Sequence, residues 1–330
     1  MTSDRGLVLA LSVAALLAVL LACLLGSTPI APHRMLGALA GQGDAADRLI
    51  LWAIRLPRAL AAFLVGAALG LSGAALQGLL RNPLAEPGVL GVSATAALFA
   101  TGVIYYGLAA LNPWILPLAA IAGALVATSV IAFAALRTRS VVTLILVGVG
   151  LSSFAGAVMS LLLNLAPNPF SLSDMINWTL GSVANRSFED LGLALPFLLA
   201  GAMLLWGSRR GLSALTLGEE AASGVGLDLR WQRLLTVVGA GLATGAAVAI
   251  AGAIGFVGIV APHLVRPFVD HDPARSLVPS ALLGGLILVL ADVGVRLIPT
   301  GNELRLGVVA ALIGAPAFVW IALRRSAGDD

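Results

Sequence analysis

The residues of this chain best placed to do chemistry sit at its polar breaks. The run Leu217-Gly218-Glu219-Glu220-Ala221-Ala222-Ser223-Gly224-Val225-Gly226 sets two adjacent carboxylates among glycines. It reads as a short helix closed by glycine, followed by a second short helix that leads into the next apolar stretch. Such a helix is either part of a solvated loop or a handle that another protein grips. Arg55-Leu56-Pro57-Arg58 stands at the mouth of an apolar stretch, and Arg296 follows Asp292 at i+4, on the same helical face. The rigid guanidinium fork suits a carboxylate. These three arginines therefore either snorkel and pair locally or receive acidic side chains of a docking protein. Arg81-Asn82-Pro83-Leu84-Ala85-Glu86-Pro87-Gly88 carries two prolines and a glycine, which force a sharp reversal. That turn is either a plain connection or part of a gate.

Several chemistries are excluded. All 19 basic residues are arginine, and without lysine there is neither a standard P-loop nor a Schiff base. The single cysteine, Cys23, cannot close an internal disulfide, and His33, His263 and His271 are too dispersed for a metal cluster. No His-Glu-x-x-His or Gly-x-Ser-x-Gly is present, which leaves a hydrolase without support. A net charge of +3 on 330 residues gives no footprint for nucleic acid. Between Gly88 and Leu136, and again between Ser140 and Ser173, no residue is charged. Ion- and proton-coupled transporters place ionisable groups inside their bundles. That scarcity disfavours the alternative of a self-powered secondary transporter and moves the energy source outside the chain.

The elements that must position these residues are membrane helices. The chain is 59% hydrophobic and 11% charged, against about a quarter charged in soluble domains, with a mean hydropathy of +1.02. The fold class is all-α and polytopic. We expect ten spans, near 6–26, 59–80, 89–108, 114–136, 140–163, 191–208, 231–252, 255–269, 276–297 and 306–324. The first, apolar from Leu7 to Leu25, is longer than a signal-peptide core and reads as a retained helix. With both termini inside, twelve arginines, Arg139 among them, lie inside and seven outside. Gly66-Ala67-Ala68, Gly73-Ala74 and Pro83 recur 179 residues later as Gly245-Ala246-Ala247, Gly252-Ala253 and Pro262. The two copies run in opposite directions, the pattern of an inverted repeat. The expectation is one domain over 1–330, with half-repeats roughly 50–165 and 228–325 and a polar loop near 208–230.

Taken together these motifs resemble the FecCD-type permeases, which import iron–siderophores, haem and vitamin B12. The resemblance rests on Arg55 to Arg58, Gly66 to Gly91 with Gln77-Gly78, Leu217 to Ala222, Gly255-Phe256-Val257-Gly258, Ala261-Pro262-His263-Leu264-Val265-Arg266, Ala291-Asp292 and Ala311 to Pro316, in that order. It implies a type II ABC importer permease in a bacterial inner membrane: a homodimer in the lipid bilayer, two separate cytoplasmic ATPase subunits and a periplasmic substrate-binding protein. ATP and magnesium would be held on those subunits, with no cofactor or metal on this chain. By position, Leu217, Gly218 and the stretch from Glu219 to Gly226 (Glu220, Ala221, Ala222, Gly224 and Val225 included) would couple to the ATPase. Arg55, Arg58 and Arg296 would meet acidic residues of the binding protein. Asn82, Pro83 and Leu84 would form an inner gate. A second gate layer would fall at Val141 and Val142, where the family carries small hydroxyl residues.

Overall fold

The computed structural model describes residues 2–26, 30–42, 44–138, 140–298 and 303–326; Arg139, expected on the inner side, lies outside them. Among these residues there are helices and no strands. In chain order they are α1 (Thr2–Leu24), α2 (Pro32–Leu39), α3 (Ala45–Leu49), α4 (Leu56–Leu80), α5 (Val92–Tyr105), α6 (Ile115–Arg137) and α7 (Val141–Asn164). There follow α8 (Pro169–Thr179), α9 (Phe188–Ala214), α10 (Glu219–Gly224), α11 (Leu229–Ala251), α12 (Val257–Val265), α13 (Pro273–Leu297) and α14 (Leu306–Ser326). Seven helical segments are long and apolar enough to cross a membrane, and three shorter apolar helices, at Val92–Tyr105, Val257–Val269 and Leu306–Val319, bring the total to the expected ten.

The differences lie at the ends of spans. The second span begins well before residue 59: α3, a π-helical stretch Ile50–Arg55 and α4 form one continuous helical segment from Ala45 to Leu80. The π stretch lets the helix carry Leu51 and Arg55 inward, where both are buried. The sixth span runs past residue 208, because α9 continues to Ala214 and takes Ser208 and Leu212 into the packed interior. Besides α10, two helices, α2 and α8, fall outside the ten spans. Each opens with proline at its first turn, Pro32 and Pro169, and Asn168 Oδ1 caps α8 by accepting from Ser171 N at 2.8 Å. Both are too short to span a bilayer.

Helix starts follow local chemistry. Ser187 and Asp190 form a reciprocal capping box at α9. Asp228 and Asp272 accept the first amides of α11 and α13. The centre is α4, packed against α13, α11 and α12. Gly66 lies against the backbone of Gly284, Gly70 against Ser280 and Gly73 against Gly258, so tightly that a Cβ on any of these three would land in a carbonyl. Small residues allow this approach where lipid supplies no hydrophobic drive between helices. By contrast α7 exposes Val142, Leu146, Val149, Phe154 and Leu161, an apolar surface suited to lipid or another protein.

Candidate functional site

At the end of the molecule that carries Asp4, the acidic run folds into the expected short helix α10, but the second short helix expected after it does not form: a turn over 225–228 leads straight into α11. Gly218, at φ +97, and Gly226, at φ +90, make the turns on either side. Ala222 is the anchor, fully buried, while Leu217 and Val225 stand 70% and 73% exposed. Glu220, Ala221, Gly224 and Gly226 are exposed as well. The face so presented is acidic and apolar together. Glu219 is held from behind: Arg233, in the first turns of α11, donates from Nη2 to both its carboxylate oxygens, at 2.9 and 3.0 Å. The same guanidinium donates from Nη1 to the carbonyl of Thr138 at 3.1 Å. The Arg233 side chain is only 4% exposed and that of Glu219 25%, so the pair is partly shielded from water. Thr138 opens the connection into α7, where Ser140 Oγ caps the helix by accepting from Thr143 N. One arginine thus joins the acidic helix to the segment that holds Val141 and Val142. Val141 is partly buried against the hydrophobic core, and Val142 is exposed.

The proline turn after α4 is built by its own polar residues. Arg81 ends α4 in the left-handed conformation, at φ +48. Asn82 Oδ1 then accepts from Leu84 N at 3.0 Å, and the Asn82 carbonyl from Ala85 N at 3.1 Å. Asn82, Pro83 and Leu84 are all partly exposed. Glu86 reaches across to the other half of the chain, where Oε2 accepts from Phe256 N at 3.0 Å. Phe256 has φ +67 at the start of α12, a conformation that costs a non-glycine residue energy. Glu86 lies outside the spans, and burial pushes its carboxyl above the ordinary value, although the Phe256 amide pulls the other way. A second bridge is Gln77, whose Nε2 donates to the Gly258 carbonyl at 3.2 Å while Oε1 accepts from Arg266 Nη2 at 2.6 Å.

At the opposite end, Arg55, Arg58 and Arg296 come together but turn inward. Asp292, 1% exposed, is the hub: Arg58 donates to it from Nε at 3.0 Å and from Nη2 at 2.8 Å, and Arg296 pairs with it at 3.1 Å. Arg58 also pairs with Glu303. Arg55 donates to the carbonyls of Cys23 and Leu24 at 3.0 and 2.8 Å, and Arg296 to those of Ala22 and Leu25 at 3.0 and 3.2 Å. These are the orphan carbonyls at the C-terminus of α1, which has no basic residue in its own last turn. The i, i+4 spacing foretold the Asp292–Arg296 pair. Nothing local foretold Arg58 meeting Asp292, 234 positions away, nor Arg233 as the partner of Glu219.

Known proteins resemble this chain in sequence and fold. The sequence profile of the FecCD transport family matches residues 14–324. A protein of Bacillus subtilis named as uncharacterized ABC transporter permease protein YvrB is 40% identical over 301 residues, 90% of this chain and 85% of that one. The vitamin B12 import system permease protein BtuC of Salmonella typhimurium is 41% identical over 321 residues, covering 96% and 94%. Among solved structures, a chain described as a metal-chelate type ABC transporter in an inward-facing conformation superposes with a TM-score of 0.83. The two are 29% identical, over 97% of this chain and 99% of that one.

Proposed function

The chain belongs to the FecCD transport family, and on that premise we propose that this ABC transporter permease imports a bulky metal chelate, with cobalamin as the first candidate. The cargo follows what its relatives are named for: vitamin B12 for the permease at 41% identity, a metal chelate for the structural neighbour. In this reading the permease is a homodimer with both termini cytoplasmic, built from the half-repeats 50–165 and 228–325. Two ATPase subunits bind ATP and magnesium on the cytoplasmic side, and a periplasmic binding protein delivers the cargo. The permease itself carries no catalytic residue.

The observation that supports this best is the partly shielded link Glu219–Arg233–Thr138. The face formed by Leu217, Gly218, Glu219, Glu220, Ala221, Gly224, Val225 and Gly226 seats in an ATPase subunit, with Ala222 as its internal anchor. Closure of the ATPase pair pushes α10. Arg233 carries that displacement to Thr138 and so to the first turn of α7, shifting Val141 and Val142 against the turn of Asn82, Pro83 and Leu84. The passage then opens to alternate sides. Docking of the binding protein on Arg55, Arg58 and Arg296 requires their hold on Asp292 and on the end of α1 to loosen. An arriving carboxylate competes with Asp292 and Glu303 for Arg58.

Coupling is tested by reconstituting the permease with its ATPase in proteoliposomes and replacing both acidic residues, Glu219→Arg with Glu220→Arg. Uptake of labelled cobalamin should cease and co-purification of the ATPase should weaken. Undiminished uptake would overturn the assignment of α10.

A further inference from the structure

A cavity of about 450 Å³ lies at the same end as the Asp292 cluster, between the C-terminus of α5, α8, the loop before α9 and the entry to α14. Its polar and aromatic lining includes Asp174, Asn177, Trp178, Asn185, Arg186 and Arg305. None of these belongs to the coupling, gate or docking residues considered above.

The cavity is short of acceptors. Arg186 Nε and Trp178 Nε1 are both buried and have no hydrogen-bond partner among the described residues, and Trp178 is only 9% exposed. Buried N–H groups in folded proteins are almost always satisfied, so two orphans in one cavity call for a missing partner. The guanidinium of Arg186 stands 5.8 Å from the Trp178 ring, and burial lowers its pKa, the mark of a cation stripped of water. Asp190, whose charge acts on Arg186 from outside the cavity lining, is already engaged by Ser187. Arg305 donates to the neutral Asn177 Oδ1 at 2.8 Å. Asp174 lines the cavity yet forms no ion pair with either arginine among the described residues.

We infer that this cavity is an oxyanion site that takes a carboxylate, with Arg186 and Arg305 supplying the charge and Trp178 supplying both an N–H donor and an apolar wall. Among the lining residues two cations stand against one carboxylate, Asp190 lying outside the lining, and the volume falls in the range of small-molecule pockets. Arginine's fork favours a carboxylate with two equivalent oxygens. The carboxylate comes either from a small molecule or from an acidic side chain presented at this end by another protein.

The test uses the full chain in lipid nanodiscs, titrated with citrate at constant ionic strength while tryptophan fluorescence is read. Neither nucleotide nor uptake is involved, so failure here is separable from failure of the importer reading. The wild type should show a saturable change that Trp178→Phe abolishes. Arg186→Gln and Arg305→Gln should each weaken binding by about ten-fold or more, as expected for loss of a charge-assisted hydrogen bond. Asp174→Asn should tighten it, a direction that misfolding cannot produce. No saturable change, or equal titrations in wild type and both arginine variants, would overturn the site. Once citrate binding is established, competition by citrate against the cognate binding protein would identify the acidic side chain as the natural source. Undisturbed binding of that protein would identify a small carboxylate.

Discussion

The two ends of this permease use arginine in opposite ways. At one end Arg58 and Arg296 converge on Asp292, while Arg55 and Arg296 close the last carbonyls of α1, so the donors spend themselves inside the chain. At the other end Arg233 grips Glu219 from behind while the outer face stays bare: Glu220 of α10 and the flanking Leu217 and Val225 are exposed. The first arrangement is a closed knot that fixes where helices end. The second is a strut with a free head. What separates them is where the acceptors sit: Asp292 lies buried in the fold, whereas Glu219 belongs to a short helix whose outer face is exposed.

The contrast can be broken most severely at Asp292. In Asp292→Ala two arginines lose the carboxylate they share, and stranding buried charges of this kind costs about 3–5 kcal/mol. Unfolding in detergent should show that loss directly, and a variant as stable as the wild type would mean the knot holds little. Next comes Arg233→Met, which keeps the bulk of the strut and removes its charge-assisted bonds, worth about 1.5–3 kcal/mol. Uptake should fall by about ten-fold or more with the ATPase still bound. If uptake and ATPase binding fell together, Arg233 would be holding the α10 surface in shape rather than transmitting its motion. The smallest effect concerns Glu86, which takes part in neither arginine cluster. Its carboxyl is raised above the ordinary 4.5, so the folded state favours the neutral form. The stability this contributes is complete below that ordinary value and is lost as pH rises through the elevated one. Glu86→Gln should flatten this decline in thermal melts across the acidic range, and a slope identical to that of the wild type would exclude Glu86 as its source.

The ten apolar stretches were legible because membrane hydropathy averages over a long window and tolerates local error. Their ends were not. The extension of α9 to Ala214 and the continuous segment through Ile50–Arg55 depend on which face meets the core, and neither hydropathy nor loop charge encodes that. The short helix α10 was legible from Gly218 and Gly226, since glycine punctuation is a local signal. Its brace was not: Arg233 reads along the chain as one more span-entry arginine, and its partners lie 14 and 95 positions away. The cavity around Arg186 and Arg305 was hidden for a related reason, because α8 is too short to register as a span and its Trp178 and Asn177 carry no motif.

Finally, the contacts of α4 at Gly66, Gly70 and Gly73 leave no side-chain layer between it and its neighbours α13 and α12. Interdigitated side chains can absorb small displacements by changing rotamer, whereas main chain resting on main chain has no such cushion. These helices are therefore braced stiffly against one another at those points, and flexing is left to the more loosely covered helices around them, α7 foremost.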